Sequence, residues 1–353
     1  MRKNMRGHSI TKIAEEKILI LDGPMGTMIQ NENLSEKDFR GKEFLKHKSI
    51  LKGNNDILNL TRPDIISDIH MKFLKAGVDI IETNTFNSNK TSQADYNCED
   101  ITYRLNYDGA LIAKNMVEKF KQEYPDKQIF VAGVLGPTNR TCSMSPDVNR
   151  PEYRNISFEE LKKDYIESVT ALLDGGADLI MVETIFDTLN AKSALMAINE
   201  IERKLGELIP IMISVTITDL SGRTLSGQTL EAFYNSVIHA KPISVGINCA
   251  LGPKELESHL KDLSRFSDFL VSIHPNAGLP NAFGGYDETP KSMADFARRW
   301  AEEGYLNIIG GCCGTTPEHI KEIKVAVEKN KPRKIRKFTP SFKLSGLEPF
   351  NLD

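Results

Sequence analysis

The sequence of 353 residues lacks a long apolar run, an excess of either charge, and the cysteine content of a disulfide-bonded scaffold. A membrane span needs about 18 consecutive apolar residues, and no segment comes near that length. Lys and Arg total 45 against 48 Asp and Glu, so bulk charge predicts neither a nucleic acid nor a membrane surface as partner. Five cysteines are too few for a disulfide framework, and no apolar signal sequence follows the basic start. These features predict a reduced, cytoplasmic protein.

The dominant pattern is an alternation of short apolar runs with amphipathic segments. Near-continuous apolar runs are typical of strands that are buried on both faces of a parallel sheet. They occur at 18–22, 78–86, 129–135, 178–184, 210–218, 244–250, 269–275 and 307–312. Helical patterns lie between or after them, at 63–76, 101–123, 157–175, 187–205, 229–239, 253–266, 291–304 and 317–328. Eight evenly spaced units predict an α/β protein with a (β/α)₈ TIM barrel, and a doubly wound open sheet is the alternative.

The ends of the chain differ from this pattern. We expect an N-terminal extension at 1–16, the barrel at 17–328 and a C-terminal linker at 329–353. The segment KNKPRKIRKF is basic and has no helical period, which is typical of a solvated linker. The final SFKLSGLEPFNLD contains apolar residues but no evident partner element, so it is interpreted as a link toward a further domain.

Three of the five cysteines fall at predicted strand ends. Cys249 ends the sixth strand, in GINCALGP, while Cys312 and Cys313 end the eighth, in IIGGCCGTT. In a barrel these ends lie near each other at the C-terminal face, where barrel enzymes carry their active sites. Three thiolates with one open position are the ligand pattern of a catalytic Zn²⁺ site. The alternatives are that the cysteines are small core residues, or that GGCCGTT binds a phosphate.

These motifs resemble those of the homocysteine S-methyltransferase family. The resemblance rests on GINC, GGCCGTTPEHI, LDGPMGT and ETNTF, and it covers about residues 12–328. The segments RPEYRNISFEEL, VETIFDTLNAKSAL, TDLSGRTLSGQT and HPNAGLPNAFGGYDETP are more similar to the N-terminal homocysteine-binding module of cobalamin-dependent methionine synthases. The resemblance implies Zn²⁺ on Cys249, Cys312 and Cys313, with homocysteine bound through its sulfur and methylated to methionine.

The resemblance also implies roles for polar residues at other strand ends. Asp22 and Glu183 would hold the substrate α-ammonium, although each carboxylate could equally cap a helix or tie a loop. Gly23 offers a backbone N–H to the α-carboxylate. Glu82, Asn84 and Thr85 are expected to line the pocket or to close the top of the barrel. Asn276 is a candidate fourth zinc ligand in the absence of substrate, or else a turn residue.

The methyl donor is expected to reside outside this chain. Asp68 and His70 begin like the cobalamin-ligand motif DxHxxG, but Phe73 replaces the glycine. The resemblance therefore implies methylcobalamin on a separate module, recharged from methyltetrahydrofolate on a folate-binding module. The alternatives are a self-sufficient methyltransferase that uses S-methylmethionine or betaine, and a non-catalytic zinc or thiol-binding module that ignores homocysteine.

Overall fold

The predicted strand segments form one parallel sheet in the computed structural model, which describes residues 8–218, 220–281, 285–336 and 342–352. Its strands are β1 (Leu19–Ile20), β2 (Ile80–Glu82), β3 (Phe130–Leu135), β4 (Leu179–Ile185), β5 (Ile211–Val215), β6 (Ser244–Asn248), β7 (Leu270–His274) and β8 (Ile308–Ile309). Consecutive strands pair from β2 to β8, and β8 pairs with β1. A bridge between Leu21 and Ile80 joins β1 to β2 and closes the ring. The predicted TIM barrel is confirmed.

Helices surround this barrel and fill its longer loops. They are α1 (His8–Glu16), α2 (Met25–Asn31), α3 (Glu36–Arg40), α4 (Leu58–Thr61), α5 (Pro63–Ala76), α6 (Lys90–Gln93), α7 (Thr102–Glu123), α8 (Phe158–Asp174), α9 (Thr188–Leu205), α10 (Leu230–Val237), α11 (Pro253–Phe266), α12 (Pro290–Glu302) and α13 (Pro317–Val327). All eight predicted helices are present. The short helices α2, α3, α4 and α6 were not predicted and lie in the loops after β1 and β2. Within the described ranges, no helix combines the length and apolarity that crossing a bilayer requires.

Alternation along the strands produces two apolar layers. Residues that point outward, such as Val245 and Ile247 on β6, join the large cluster formed with the helices. Residues that point inward form a second cluster, which contains Leu19, Leu21, Ile80, Phe130, Ala132, Leu179, Met181, Met212, Leu270 and Ile308. The barrel interior is therefore a packed core, and its chemistry is confined to the rim.

The helix α1 plugs the barrel. Ile10 and Ala14 are fully buried and belong to the inner cluster, so this part of the predicted N-terminal extension completes the barrel core. Complete burial of an isoleucine side chain stabilises a fold by about 1.5–3 kcal/mol. Residues 1–7 lie outside the described part of the chain, as do Asp219 and residues 282–284 of the motifs quoted above.

Residues 342–352 of the C-terminal segment pack on α10. Strands β9 (Phe342–Ser345) and β10 (Pro349–Leu352) form an antiparallel hairpin. The Thr229 N–H donates to the Leu347 carbonyl at 3.0 Å, and Asn235 on α10 donates to the Leu344 carbonyl at 3.2 Å. The expectation of a segment without a partner was therefore wrong for residues 342–352. Their partner lies over 100 residues upstream and is reached through polar contacts, which leave no apolar pattern.

The hairpin binds the barrel through polar residues and turns apolar ones outward. Lys343, Ser345 and Asn351 face α10 and its neighbours. The opposite face carries two cross-strand pairs, Phe342 with Leu352 and Leu344 with Phe350, each side chain more than half exposed.

The basic segment before the hairpin is also anchored. The Arg333 side chain is 5% exposed, and its guanidinium donates to the carbonyls of Ser264 at 2.8 Å and Phe269 at 3.0 Å. The description of this segment as a solvated linker is therefore wrong at Arg333. Residues 337–341 and 353 of the predicted linker lie outside the described ranges.

Candidate active site

The three strand-end cysteines meet at one point of the barrel rim. The sulfurs of Cys249 and Cys313 are 3.8 Å apart, and all three sulfurs lie within 4.8 Å of one another. Each cysteine is free and partly exposed. Strand order explains the meeting, because β6 and β8 flank β7 and end at the same face. The arrangement is one that could hold a metal ion.

The backbone at these cysteines adopts unusual conformations. Cys249 and Ala250 have φ of +60° and +57°, a left-handed conformation that is unfavourable for side-chain-bearing residues. Gly314 has φ of +83°, which turns the chain directly after Cys313. Gly311 matters for a different reason, since a Cβ there would lie 2.3 Å from the Thr315 hydroxyl oxygen. Strain of this kind is concentrated at functional sites.

The ionisation of each cysteine in this cluster depends on the other two. Hydrogen bonds from the Cys249 and Cys312 thiols lower the pKa of Cys313 to about 3. Hydrogen bonding to Cys249 and Cys313, together with burial, raises the pKa of Cys312. The three thiols are therefore coupled, and a charge on one of them disfavours ionisation of its neighbours.

Carboxylates from three strands form a second cluster beside the thiols. Ligand atoms of Glu82, Glu183 and His274 lie within 4.8 Å of one another, with the His274 Nε2 3.3 Å from a Glu183 oxygen. Asp22 is 2% exposed, and one of its oxygens accepts the Glu82 N–H at 3.1 Å. Its other oxygen, Oδ1, is buried without a hydrogen-bond partner among the described residues. Such an atom calls for a donor from a ligand or water.

Mutual repulsion and burial make this cluster receptive to a cation. Burial is the main cause that raises the pKa of Asp22, and the Glu183 charge adds to it. Burial also raises the pKa of Glu82, with further contributions from Glu183 and Asp22. A bound cation would restore the ionised forms, because an opposite charge nearby favours them.

The thiols and the side chains of Glu82, Glu183 and His274 border one cavity of about 380 Å³, whereas Asp22 lies behind its lining. Its lining includes Gly23, Glu82, Asn84, Glu183 and the three cysteines Cys249, Cys312 and Cys313. This volume falls within the range of small-molecule sites, about 300–1,000 Å³.

The other predicted residues take varied positions. Asn84 lines the cavity, but its amide nitrogen donates to Asn59 at 3.0 Å. The Thr85 hydroxyl donates to the Val134 carbonyl at 2.9 Å, a contact that ties β2 to β3. Asn276 is 3% exposed, and its Oδ1 has no protein partner in the described ranges. His70 is fully buried inside α5.

Sequence reasoning missed three residues of this site. His274 ends β7 and touches Glu183, a position that the strand-end rule could have indicated. Asn248 ends β6 and accepts from the Thr184 N–H at 3.1 Å while donating to the Thr184 hydroxyl at 2.8 Å, thereby holding the left-handed Thr184 beside Glu183. Tyr286 lines the cavity from the loop after β7, and no local sequence signal placed it there.

The fold and the site define a TIM-barrel protein with a thiol cluster at the C-terminal rim. The chain matches the homocysteine S-methyltransferase family over residues 19–327, so it belongs to that family and is a methyltransferase. The metallated form of the homocysteine methyltransferase MmuM from Escherichia coli is 21% identical, with a TM-score of 0.69 over 89% of this chain and 98% of MmuM. The oxidised form of MmuM is 20% identical to this chain, with a TM-score of 0.69 over 89% of this chain and 97% of MmuM. These structures share the fold.

Proposed function

We propose that this chain binds Zn²⁺ through Cys249, Cys312 and Cys313 and activates homocysteine for S-methylation to methionine. Its place would be that of the homocysteine module of a cobalamin-dependent methionine synthase. Three sulfurs and a buried acidic cluster that border one cavity carry the proposal. The sulfurs would hold the metal that binds the thiol end of an amino-acid thiol, and the acidic cluster would bind its ammonium end.

The thiol geometry fits zinc. Four sulfurs around a tetrahedral ion with Zn–S bonds of about 2.3 Å are separated by about 3.8 Å. The Cys249 and Cys313 sulfurs are already 3.8 Å apart. Three protein ligands leave one position open, which is typical of catalytic zinc. The candidate for that position without substrate is Asn276, whose unpartnered Oδ1 supports the assignment.

The acidic cluster fits the α-ammonium group. A protonated amine donates three hydrogen bonds and carries a positive charge that would offset the negative charges of Asp22 and Glu183. The unpartnered Oδ1 of Asp22 is a ready acceptor. Gly23 borders the same cavity and would offer its N–H to the α-carboxylate. Glu82 and Asn84 would complete the walls, whereas Thr85 would support them through Val134.

The residues of the chain would have separate tasks in the reaction. Zinc, when bound, would take the substrate sulfur into its fourth position and keep it deprotonated at neutral pH. The three cysteinates would supply negative charge that keeps this sulfur electron-rich. The acidic cluster would fix the other end of the substrate and so aim the sulfur at the donor methyl group.

The donor would be methylcobalamin held by a partner module, which methyltetrahydrofolate on a folate-binding module would recharge. The exposed apolar face of the β9–β10 hairpin supports such a partner, because Phe342, Leu344, Phe350 and Leu352 form one contiguous apolar surface. A lysine at Leu344 should weaken activity with a partner module. The same change at Leu205, an exposed leucine at the end of α9, is the matched control.

Zinc content and homocysteine binding test the core of the proposal. We expect one zinc per chain in the wild type and in Cys142→Ala, where the cysteine is buried outside the site. We expect Cys312→Ala to lose it. Homocysteine should release a proton on binding only to the zinc-loaded forms. Protein that takes up no zinc from zinc-containing buffer would refute the mechanism, and zinc that ignores homocysteine would indicate the non-catalytic module.

Assays with different methyl donors test whether the protein uses methylcobalamin. Methylcobalamin should yield methionine, whereas S-methylmethionine and betaine should not. Turnover with either onium donor and no partner would replace the synthase assignment with the self-sufficient methyltransferase. Two zinc ions per chain, one of them lost in Glu183→Gln, would mean that the acidic cluster holds a metal and not an ammonium group.

A further inference from the structure

Asn248 ties three neighbouring strands together at the rim of the barrel. It is the last residue of β6, is fully buried, and reaches with its side chain across β5 to β4. Its amide oxygen accepts from the Ser214 hydroxyl on β5 at 2.7 Å and from the Thr184 N–H on β4 at 3.1 Å. Its amide nitrogen donates to the Thr184 hydroxyl at 2.8 Å. Both polar groups of this side chain are therefore used to join the strands.

The contacts with Thr184 hold an irregular part of β4. The pairing of β4 with β5 shifts in register between Val182 and Ile185, so β4 bulges at Glu183 and Thr184. Bulges next to active sites re-aim side chains. Thr184 has φ of +54°, a left-handed conformation that a β-branched residue rarely adopts and that surrounding structure has to impose. Asn248 supplies that constraint, because it binds both the N–H and the hydroxyl of Thr184.

The same asparagine lies between the acidic cluster and the thiol cluster. The Oε2 atom of Glu183 is 3.4 Å from the Asn248 Nδ2 and 3.3 Å from the His274 Nε2. On its other side Asn248 is followed directly by Cys249, whose N–H donates to the His274 carbonyl at 3.2 Å. Glu183 and Cys249 border the same cavity. One buried residue thus connects the carboxylate proposed for the α-ammonium group with a proposed zinc ligand.

We propose that Asn248 is a positioning residue that fixes the separation between the Glu183 carboxylate and the Cys249 sulfur, and thereby sets the chain length of the amino-acid thiol that the site accepts. The inference rests on the proposed function and deepens it. Homocysteine has two methylene groups between its α-carbon and its sulfur, whereas cysteine has one and 2-amino-5-mercaptopentanoate has three. A site whose two ends are held rigidly satisfies both ends of only one of these lengths, whereas a mobile bulge in β4 would adjust to the others.

Binding of these three thiols to the zinc-loaded protein, measured by titration calorimetry, tests the inference. The wild type should bind homocysteine more tightly than the shorter and the longer thiol. Asn248→Ser removes the amide that holds the bulge. We expect its affinity for homocysteine to fall about 10-fold, while its affinities for the other two thiols change less, so that the preference for homocysteine narrows. A general loss of stability would not change this preference.

Asn307→Ser is the matched control at the opposite end of the barrel. Asn307 is also a fully buried asparagine, and its amide accepts from the Val271 N–H at 2.9 Å and donates to the Arg333 carbonyl at 2.8 Å. Its replacement removes comparable hydrogen bonds far from the cavity, so the preference for homocysteine should equal that of the wild type. The same narrowing in Asn307→Ser would overturn the inference, because it would indicate a general loosening of the barrel.

A second variant tests the contact from the other strand. Thr184→Val keeps the branched shape of the side chain and removes the hydroxyl that accepts from Asn248. The preference for homocysteine should narrow by about 3-fold, and this variant serves as well if Asn248→Ser does not fold. An unchanged preference in every variant that folds would overturn the inference, as would a wild type that binds the three lengths equally. A wild type that takes up no zinc or does not bind homocysteine would instead refute the proposed function.

Discussion

Replacing Glu183 with glutamine tests how the site would recognise the amino-acid end of its substrate. The change keeps the shape of the side chain, including an oxygen that can face the His274 Nε2, now 3.3 Å from the carboxylate. It removes one negative charge from a cluster in which that charge raises the pKa values of Asp22 and Glu82. We expect homocysteine to bind more weakly and zinc content to stay unchanged.

The magnitude follows from two opposing effects. A hydrogen bond to a charged partner contributes about 1.5–3 kcal/mol, which corresponds to roughly 10–150-fold in affinity. Without the Glu183 charge, however, Asp22 and Glu82 ionise more readily and compensate in part. The expected loss therefore lies at the lower end, about 10-fold. It should appear in KM and the dissociation constant, because the α-ammonium is bound equally before and during methyl transfer.

The comparison ligand for this experiment is 4-mercaptobutyrate, which is homocysteine without its amino group. Its affinity for the zinc-loaded protein, measured by titration calorimetry, should change little in Glu183→Gln, while that of homocysteine falls. Glu159→Gln on α8, at an exposed position, controls for the loss of a charge. Equal effects on both ligands would refute the assignment of Glu183 to the ammonium group.

Three further changes test the fold around the site. Burial raises the pKa of Asp56 to about 6 from 3.8, so the folded state holds this proton more tightly. The free energy of unfolding should then fall by about 2–3 kcal/mol as the pH rises from about 4 to 6. Asp56→Asn should abolish that fall, as measured by denaturant titrations at each pH. The same pH dependence in wild type and variant would contradict its assignment to Asp56. Ile10→Ala should cost about 2–5 kcal/mol because it opens the barrel plug, against roughly 0.5 for the exposed Leu205→Ala. Arg333→Lys should destabilise by about 1–3 kcal/mol, since an ammonium group cannot reach all of its carbonyl partners; equal unfolding curves would show that the segment is not anchored.

Local patterns were sufficient for the barrel. Strand β7 lies in a largely apolar run and ends at His274, directly before Pro275, and α11 begins with Pro253 at its first residue, so each element could be predicted from its own residues. The role of α1 was not predictable in this way. Its apolar residues indicate an amphipathic helix, but only the closed barrel reveals that they fill its open end. The β9–β10 hairpin could not be predicted because its contacts with α10 are polar and distant in sequence.

The candidate site also contains residues that local sequence could predict and residues that it could not. The strand count predicted that Cys249 and Cys313 lie at the same rim of the barrel, and the structure places their sulfurs 3.8 Å apart. The zinc and substrate roles of these residues stay predictions. Tyr286 could not be foreseen, because its position depends on a loop path and on the missing side chain at Gly314. Thr184 and Cys249 are left-handed without being glycine, a conformation that tertiary contacts impose against local preference.

Under the proposed function, charge balance predicts that a thiol amino acid binds in this cavity better than a simple thiol. Three cysteinates would leave a divalent ion with a net negative charge, and the substrate thiolate would increase it. The neighbouring Asp22, Glu82 and Glu183 are negative when ionised, and burial together with their mutual repulsion raises the pKa values of Asp22 and Glu82. A ligand that brings only a thiolate would worsen both imbalances. Homocysteine would bring an ammonium group together with its sulfur, so the buried carboxylates could ionise while the sulfur would stay rich in negative charge for attack on an electron-poor methyl group.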